Sequence, residues 1–258
     1  MRRLMLEQPV SAAAIWARRF ALFGLALAGA ALAMTRKAGI EPAASLAVFG
    51  AAIVMGLLAF LCGIISASAI WRHGRRGAGI VFSAFIMAAL LLAAPAFMAV
   101  QAVRLPLIND ISTDLIDPPE FSLSSRALAA RDGFIHGALS EASREAQRIA
   151  YPSVQPILLD VEADDAWLLV QKAAAARGWR IVEQTKPGGR TGAGRIDAID
   201  RTLVMRFFDD VTIRVRPLAG QTRIDVRSAS RIGRHDFGAN AKRIQSFSEE
   251  LQAALDAR

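Results

Sequence analysis

Two stretches of this chain carry no charged side chain at all: Ala43 to Trp71, 29 residues, and Ala78 to Val103, 26 residues. A helix needs roughly 20 apolar residues to cross the hydrocarbon of a bilayer. Both stretches exceed that, and a backbone without water must satisfy its own hydrogen bonds, so both are predicted to be transmembrane helices. Phe20 to Met34 is shorter, but Ala12 to Ala17 continues it upstream, and Arg18 and Arg19 can snorkel to the headgroups. It is assigned as a third span. The rival for this first segment is a signal peptide cleaved after Ala31-Leu32-Ala33, although two further spans follow. The predicted spans therefore lie near 12–34, 43–71 and 78–103 of a transmembrane domain over residues 1–104.

Charge divides the chain at the same place. Residues 1–104 hold ten basic and two acidic side chains, and residues 105–258 hold 21 of each, so the whole formal charge of +8 sits in the apolar part. A basic excess there sorts membrane topology and does not point to nucleic acid. Arg2, Arg3, Arg18, Arg19, Arg72, Arg75 and Arg76 fall on one side of the spans, and Arg36, Lys37 and Arg104 on the other. By the positive-inside rule the N-terminus is cytoplasmic and residues 105–258 are periplasmic, on an inner membrane. Neither long span contains an Asp, Glu, Lys, Arg or His, which argues against a pump, carrier or channel. Small residues such as Ala52 with Gly56, and Gly63 with Ala67, allow close helix approach, though Ala and Gly are simply abundant here. Cys62 is the single cysteine, which excludes a disulfide framework and a cysteine zinc site.

Residues 105–150 read as an extended tether and a short helix. Pro106 and the Pro118-Pro119 pair oppose regular helix, and a helix is expected around Ser140 to Ile149. Asp110, Ser112 and Asp114 have calcium-loop spacing, but Leu115 and Phe121 occupy the places of the required Gly and Glu. Residues 151–258 have the order helix, about five strands, helix. Ala163 to Arg177 forms a helix with Trp167, Val170 and Ala174 on one side, ended by Gly178. Strands are expected at Trp179 to Val182, Arg195 to Ala198, Leu203 to Phe208, Val211 to Arg216 and Thr222 to Ser228. A last helix, Ala239 to Ala257, carries Ile244, Phe247, Leu251 and Leu255. The Gly-rich loop Lys186 to Gly194 joins strand to strand, so it reads as a hairpin and not a phosphate cradle. The fold class is an α+β two-layer domain with a mainly antiparallel sheet and two flanking helices, following three spans.

Strand alternation puts Val211, Ile213, Val215, Ile224 and Val226 on the core face. It puts Arg195, Arg206, Arg214, Arg216 and Arg223 on the other, with Asp197, Asp225 and Arg227. Three readings of that polar face stand: an anion-binding surface, since guanidinium forks match phosphate and carboxylate; a solvated face laced with cross-strand pairs; or a seat for the tether. The last follows from charge, because residues 105–174 hold five basic and eleven acidic side chains and residues 175–258 hold sixteen and ten.

Two stretches are familiar as sequence: Asn109 to Asp114 with Pro118-Pro119-Glu120-Phe121, and Asp209-Asp210-Val211 through Asp225 to Gly233, then Asp236, Gly238, Asn240 and Arg243-Ile244. They resemble the family of domains of unknown function numbered DUF 1499, found in bacterial envelope proteins and chloroplast relatives. The resemblance covers about residues 105–255 and implies a membrane-associated domain with no assigned activity. Arg206 departs from the family pattern, where a small residue is expected.

The candidate binding site is the segment after the last strand: Arg227, Ser228, Ser230, Arg231, Arg234, His235, Asp236 and Asn240. It combines cations with a helix N-terminus, whose free amides favour an anion; the competing reading is a helix cap by Asp236 or Asn240. On this reading Arg231→Ala with Arg234→Ala weakens an anionic ligand without unfolding the domain. No catalytic residue, metal ligand or cofactor is assigned, since no nucleophile motif or ligand spacing occurs. The expected function is binding in envelope organisation or maintenance, with the lipid bilayer and anionic lipid, cell-wall polymer or another envelope protein as partners. The alternative is an envelope enzyme acting on an anionic substrate at Arg227 to Asn240.

Overall fold

Where every backbone group must be satisfied within the segment, uncharged apolar runs become helices, and three of them open the fold: α1 (Ala12–Met34), α2 (Pro42–His73) and α3 (Ala78–Arg104). The computed structural model describes residues 9–37, 40–188 and 192–257, in two compact units that meet in sequence at Gln101 and Ala102. All three helices are long and apolar enough to cross a membrane. Pro42 occupies the first turn of α2, where its missing N–H costs nothing. Gly74 ends that helix in the left-handed conformation, its amide donating to the Ile70 carbonyl at 2.9 Å.

The inside of this unit is built from small residues. Ala21, Ala59 and Ala88, one from each helix, form a buried cluster flanked by Phe20 and Met87. A Cβ at Gly56 would stand 3.0 Å from Leu92, and one at Gly63 would stand 2.6 Å from Phe85. The small residues therefore serve approach within the chain, and Leu22, Phe23, Leu57, Leu61, Phe82 and Leu90 face outward. An apolar outside around a small-residue inside suits lipid as solvent.

The second unit contains β1 (Asp110–Ser112), α4 (Ser125–Ala130), α5 (Glu141–Ala150), β2 (Ile157–Leu159), α6 (Ala163–Ala176), β3 (Arg180–Thr185), β4 (Gly194–Arg201), β5 (Phe208–Leu218), β6 (Gln221–Ser230) and α7 (Ala239–Asp256). Every strand pairing is antiparallel, in the order β1-β6-β5-β4-β3, with β2 on the same edge of β6 as a continuation of β1. Ser140 caps α5 by accepting the Ser143 amide, and Ser124 caps α4 by accepting the Ala127 amide. The α+β domain holds as expected, with six strands.

One face of the sheet is the core. Ile196, Ala198, Val211, Ile213, Val215, Ile224 and Val226 pack under Trp167, Val170 and Ala174 of α6 and Ile244, Phe247 and Leu251 of α7. Trp179 stacks on Phe247 at 5.2 Å between ring centres. Alternation assigned these residues correctly because the period of two is unbroken from Asp209 to Arg216. Gly178 ends α6 with φ of 70° in open space. We expect Gly178→Ala to cost roughly 1–2 kcal/mol through the strained left-handed backbone, read as a lowered thermal unfolding midpoint.

Two expectations are corrected. Leu203 to Phe208 is not a strand: Thr202 to Phe207 form a turn, closed where the Thr202 amide donates to Phe207 O at 2.9 Å and the Arg206 amide to Thr202 O at 3.0 Å. Its apolar residues have no partner strand to alternate against, and Arg206 takes a positive φ of 53°. Arg206 therefore leaves the sheet face for a solvent-exposed turn. The centre of the Lys186 to Gly194 loop, residues 189–191, lies outside the described residues, although β3 and β4 pair up to Thr185 and Arg195.

Candidate functional site

Much of the polar sheet face is covered. The segment from Thr113 to Leu139 lies over it as a strap that includes α4, with Ala127 packed on Val182 and Ile199. Asp114 is the strap's first fastening. Its Oδ1 accepts the amides of Ile116 and Asp117, both at 3.0 Å, which holds the turn. Its Oδ2 accepts from Arg223 at 2.6 Å, Arg216 at 3.2 Å and Arg214 at 3.4 Å. Beneath it Asp225, fully buried, lies within 2.8 Å of Arg223 and Arg216 and 3.1 Å of Arg214. Arg216 stands directly across from Arg223 in the β5–β6 register. Two cations facing each other across strands repel, and the two carboxylates between them remove that repulsion. Burial pushes the Asp114 carboxyl up, but the two amides with Arg223 and Arg214 outweigh it and hold the group below its ordinary value.

Further along the face, Arg227 makes a fork on Asp110 at 3.0 and 2.7 Å and donates to the carbonyls of Pro119 and Gly137. Its guanidinium lies 5.0 Å from the centre of the Phe121 ring. Arg131 approaches the same ring and donates to the carbonyls of Ser122 and Ala127. Asp197 accepts the Ser122 amide at 3.1 Å and pairs with Arg195 at 3.3 Å. Burial dominates there and raises its pKa. At the end of the sheet Asp210 receives the Arg231 fork at 2.9 and 2.7 Å and pairs with His136 Nε2 at 2.7 Å. Burial alone would raise Asp210; the His136 and Arg231 contacts reverse this and lower it.

The neighbouring carboxylate points the other way, as successive strand residues must. Asp209 faces α7 and pairs with Arg243 at 2.5 Å, and Arg243 also holds Asp200 at 2.6 Å. The Ser228 hydroxyl donates to Asn240 Oδ1 at 2.7 Å and accepts from Arg243 at 3.0 Å. Asn240 Nδ2 donates to Ser230 Oγ at 3.0 Å. Burial raises the Asp209 carboxyl despite Arg243 and Ser230.

The candidate segment is thus divided. Ser228, Ser230 and Asn240 meet on the α7 side, together with Arg243 and Asp209. Arg227 and Arg231 project to the strap side, each locked on a buried or half-buried carboxylate. Asp236 accepts the amides of Gly238, the N-cap of α7, and of Asn240 in its first turn, both at 2.9 Å, and so satisfies free amides at the start of α7. His235 Nδ1 accepts the Phe237 amide at 2.9 Å, and its ring stacks on Phe237. Arg234 is exposed and makes no ion pair among the described residues. Arg231 is consequently a structural cation, and its removal leaves the buried Asp210 to His136 alone, so Arg231→Ala with Arg234→Ala is expected to cost stability as well as any ligand contact.

Arg243, Asp209 and His136 carry much of this network without having been singled out as site residues. A usable signal was present: alternation places Asp209 on the face of Val211, where a carboxylate requires a buried cation. Chemically the arrangement holds charges in fixed pairs. Among the described residues Ser228 is held by Asn240 and Arg243, His136 is committed to Asp210, and no group of three or more His, Cys, Asp or Glu that suits a metal occurs.

The fold and the charged face define a class: an α+β domain whose polar sheet face is closed by its own acidic strap, preceded in sequence by three membrane-capable helices. The family described as a protein of unknown function (DUF1499) matches residues 110–251, and the chain belongs to it. The match begins at β1 and includes the whole strap. A comparison with curated proteins found no match.

The carboxyl groups give a signed acid profile. Asp197 and Asp209 bind protons more tightly folded than unfolded, so their contribution rises as the pH falls toward the ordinary carboxylate range. Asp114, Asp210 and Glu183, the last lowered first by hydrogen bonds from Ser122 and Ser124, contribute stability above that range and lose it below. We expect the unfolding midpoint to hold or rise slightly on mild acidification and then drop steeply; a midpoint falling steadily from neutral pH would contradict the assignment.

Proposed function

We propose that this is an inner-membrane protein with a cytoplasmic N-terminus, whose C-terminal domain binds at the periplasmic face in the organisation or maintenance of the envelope. The observation that carries the reading is the distribution of positive charge: seven basic residues on the side of the N-terminus and of the loop 72–77, against three on the other. The domain itself supports binding over turnover. The arginines of its strap-covered sheet face, Arg214, Arg216, Arg223, Arg227 and Arg231, are spent on internal carboxylates, and the serines of the candidate segment lie in hydrogen bonds with Asn240 and Arg243. An enzyme acting on an anionic substrate there would need Arg227 and Arg231 free, whereas each is forked on a carboxylate, Asp110 and Asp210.

The topology is tested with alkaline phosphatase and a cytosol-dependent fluorescent protein fused in turn after Arg258. We expect phosphatase activity without fluorescence. Fluorescence without phosphatase activity would place the domain in the cytosol and end the periplasmic reading.

A further inference from the structure

The end of the sheet at which the chain enters from α3 differs from the rest of the domain surface. Immediately after α3 the chain is already pinned: Ile108 O accepts the Asp236 amide at 3.1 Å and Asn109 Nδ2 donates to Gly233 O at 2.6 Å. Leu105 packs so close to Gly238 that a Cβ there would meet it at 3.1 Å. Five residues reach at most about 18 Å. Since α3 is apolar up to Val103, a membrane-spanning α3 keeps this end of the domain within that reach of the lipid headgroups.

The same end carries the turn between β4 and β5. Leu203 is 90% exposed and Val204 57%; Leu107, in the entering segment, and Ile135, which lines a pocket with Asn109 and Ser230, are exposed by 62% and 61%. Beside the turn is a pocket of 360 Å³ lined by Gly178, Arg180, Ile199, Asp200, Arg201 and Arg206. Its one carboxylate, Asp200, is taken by Arg243. Arg180, Arg201 and Arg206 are exposed and make no ion pair among the described residues. Arg201 only lies over the Phe208 ring at 4.5 Å, and Arg180 only reaches the Ala130 carbonyl at 3.5 Å. Arg214, Arg216, Arg223, Arg227 and Arg231 each hold a carboxylate; here three guanidiniums line one pocket whose single carboxylate is already taken. Exposed apolar tips flanked by unpaired arginines are the chemistry of an interfacial anchor on anionic lipid.

We propose that this end docks on the bilayer surface, with Leu203 and Val204 entering the headgroup and acyl boundary and the Arg180, Arg201 and Arg206 pocket closing on the phosphodiester of an anionic phospholipid. The proposal rests on the membrane anchorage in the reading above and is indifferent to which side the domain faces, so the fusion experiment and this one fail separately.

The test uses the full chain with Cys62→Ser, in nanodiscs of phosphatidylcholine alone or mixed with phosphatidylglycerol. An environment-sensitive fluorophore is placed at Leu203→Cys or, as a control, at Leu218→Cys at the opposite end of β5. We expect blue-shifted emission and quenching by brominated lipid at 203 and not at 218, stronger with phosphatidylglycerol. Arg180→Gln, Arg201→Gln and Arg206→Gln together should remove the phosphatidylglycerol increment, lowering the docked-to-undocked ratio roughly fivefold for each guanidinium. An unchanged unfolding midpoint in that variant separates lost docking from lost fold; should it unfold, Leu203→Gln with Val204→Gln serves instead, and is expected to abolish quenching of a fluorophore at Ile135→Cys. A probe at 203 as aqueous as the one at 218 in both bilayers overturns the proposal. So does an increment that survives the triple substitution, or one that soluble inorganic phosphate reproduces.

Discussion

Replacing Arg243 by alanine should lower the stability of the C-terminal domain by about 3–5 kcal/mol, the usual cost of leaving one member of a buried ion pair alone. Arg243 is almost wholly enclosed, and its partner Asp209 more so, with side-chain exposures of 7% and 1%. The substitution also removes a donor to Ser228 and another to Asn240, and frees Asp200 from its cation. For a domain of this size that loss corresponds to a fall of roughly 10 °C in the unfolding midpoint, followed through the buried Trp167 and Trp179. Asp209→Asn with Arg243→Met should recover a large part of it, because a neutral pair of similar volume removes the stranded charge. A single substitution costing under about 1 kcal/mol would mean that water reaches Asp209 and that the site is not closed.

The second large effect concerns the strap. Asp110→Asn, Asp114→Asn and Asp117→Asn together take the opposing charge from Arg227, Arg214, Arg216 and Arg223, leaving Asp225 to three guanidiniums. Asp117 is two-thirds exposed and contributes little alone. Asp110 and Asp114 are partly to largely buried, and we expect the triple variant to lose on the order of 3–5 kcal/mol. The strap should also open locally at its Asp114 end, where these pairs fasten it to the sheet. Trypsin reports this cleanly, because Arg126 and Arg131 lie within the strap and Asp→Asn adds no cleavage site. Cleavage there should rise more than tenfold. Unchanged cleavage and stability would show that the carboxylates merely neighbour the sheet.

The helices were legible in the sequence because a run without charge has few alternatives. The core face was legible for a similar reason, since Val211, Ile213 and Val215 alternate with residues that cannot share their side. The seat of the strap could be read as one option from the opposite charge of residues 105–174 and 175–258, but not its register, which depends on Asp114 meeting three arginines from two strands. Leu203 to Phe208 reads as a strand by apolar content, but it has no alternation to hold one and turns instead. The candidate segment misled differently: proximity in sequence suggested convergence, while the strand period sends Arg227 and Arg231 to one side and Ser228 and Ser230 to the other. Only the fold supplies their partners, some at separations above one hundred residues, as with Asp110 and Arg227.

The central claim, that the arginines of the sheet face are internal clamps, is tested most directly by a double-mutant cycle on Asp110 and Arg227. Their fork at 2.7 and 3.0 Å and their burial predict a coupling clearly above 1 kcal/mol in unfolding free energy. Single losses that simply add, to within about 0.5 kcal/mol, would contradict it and return Arg227 to the pool of cations available to a ligand.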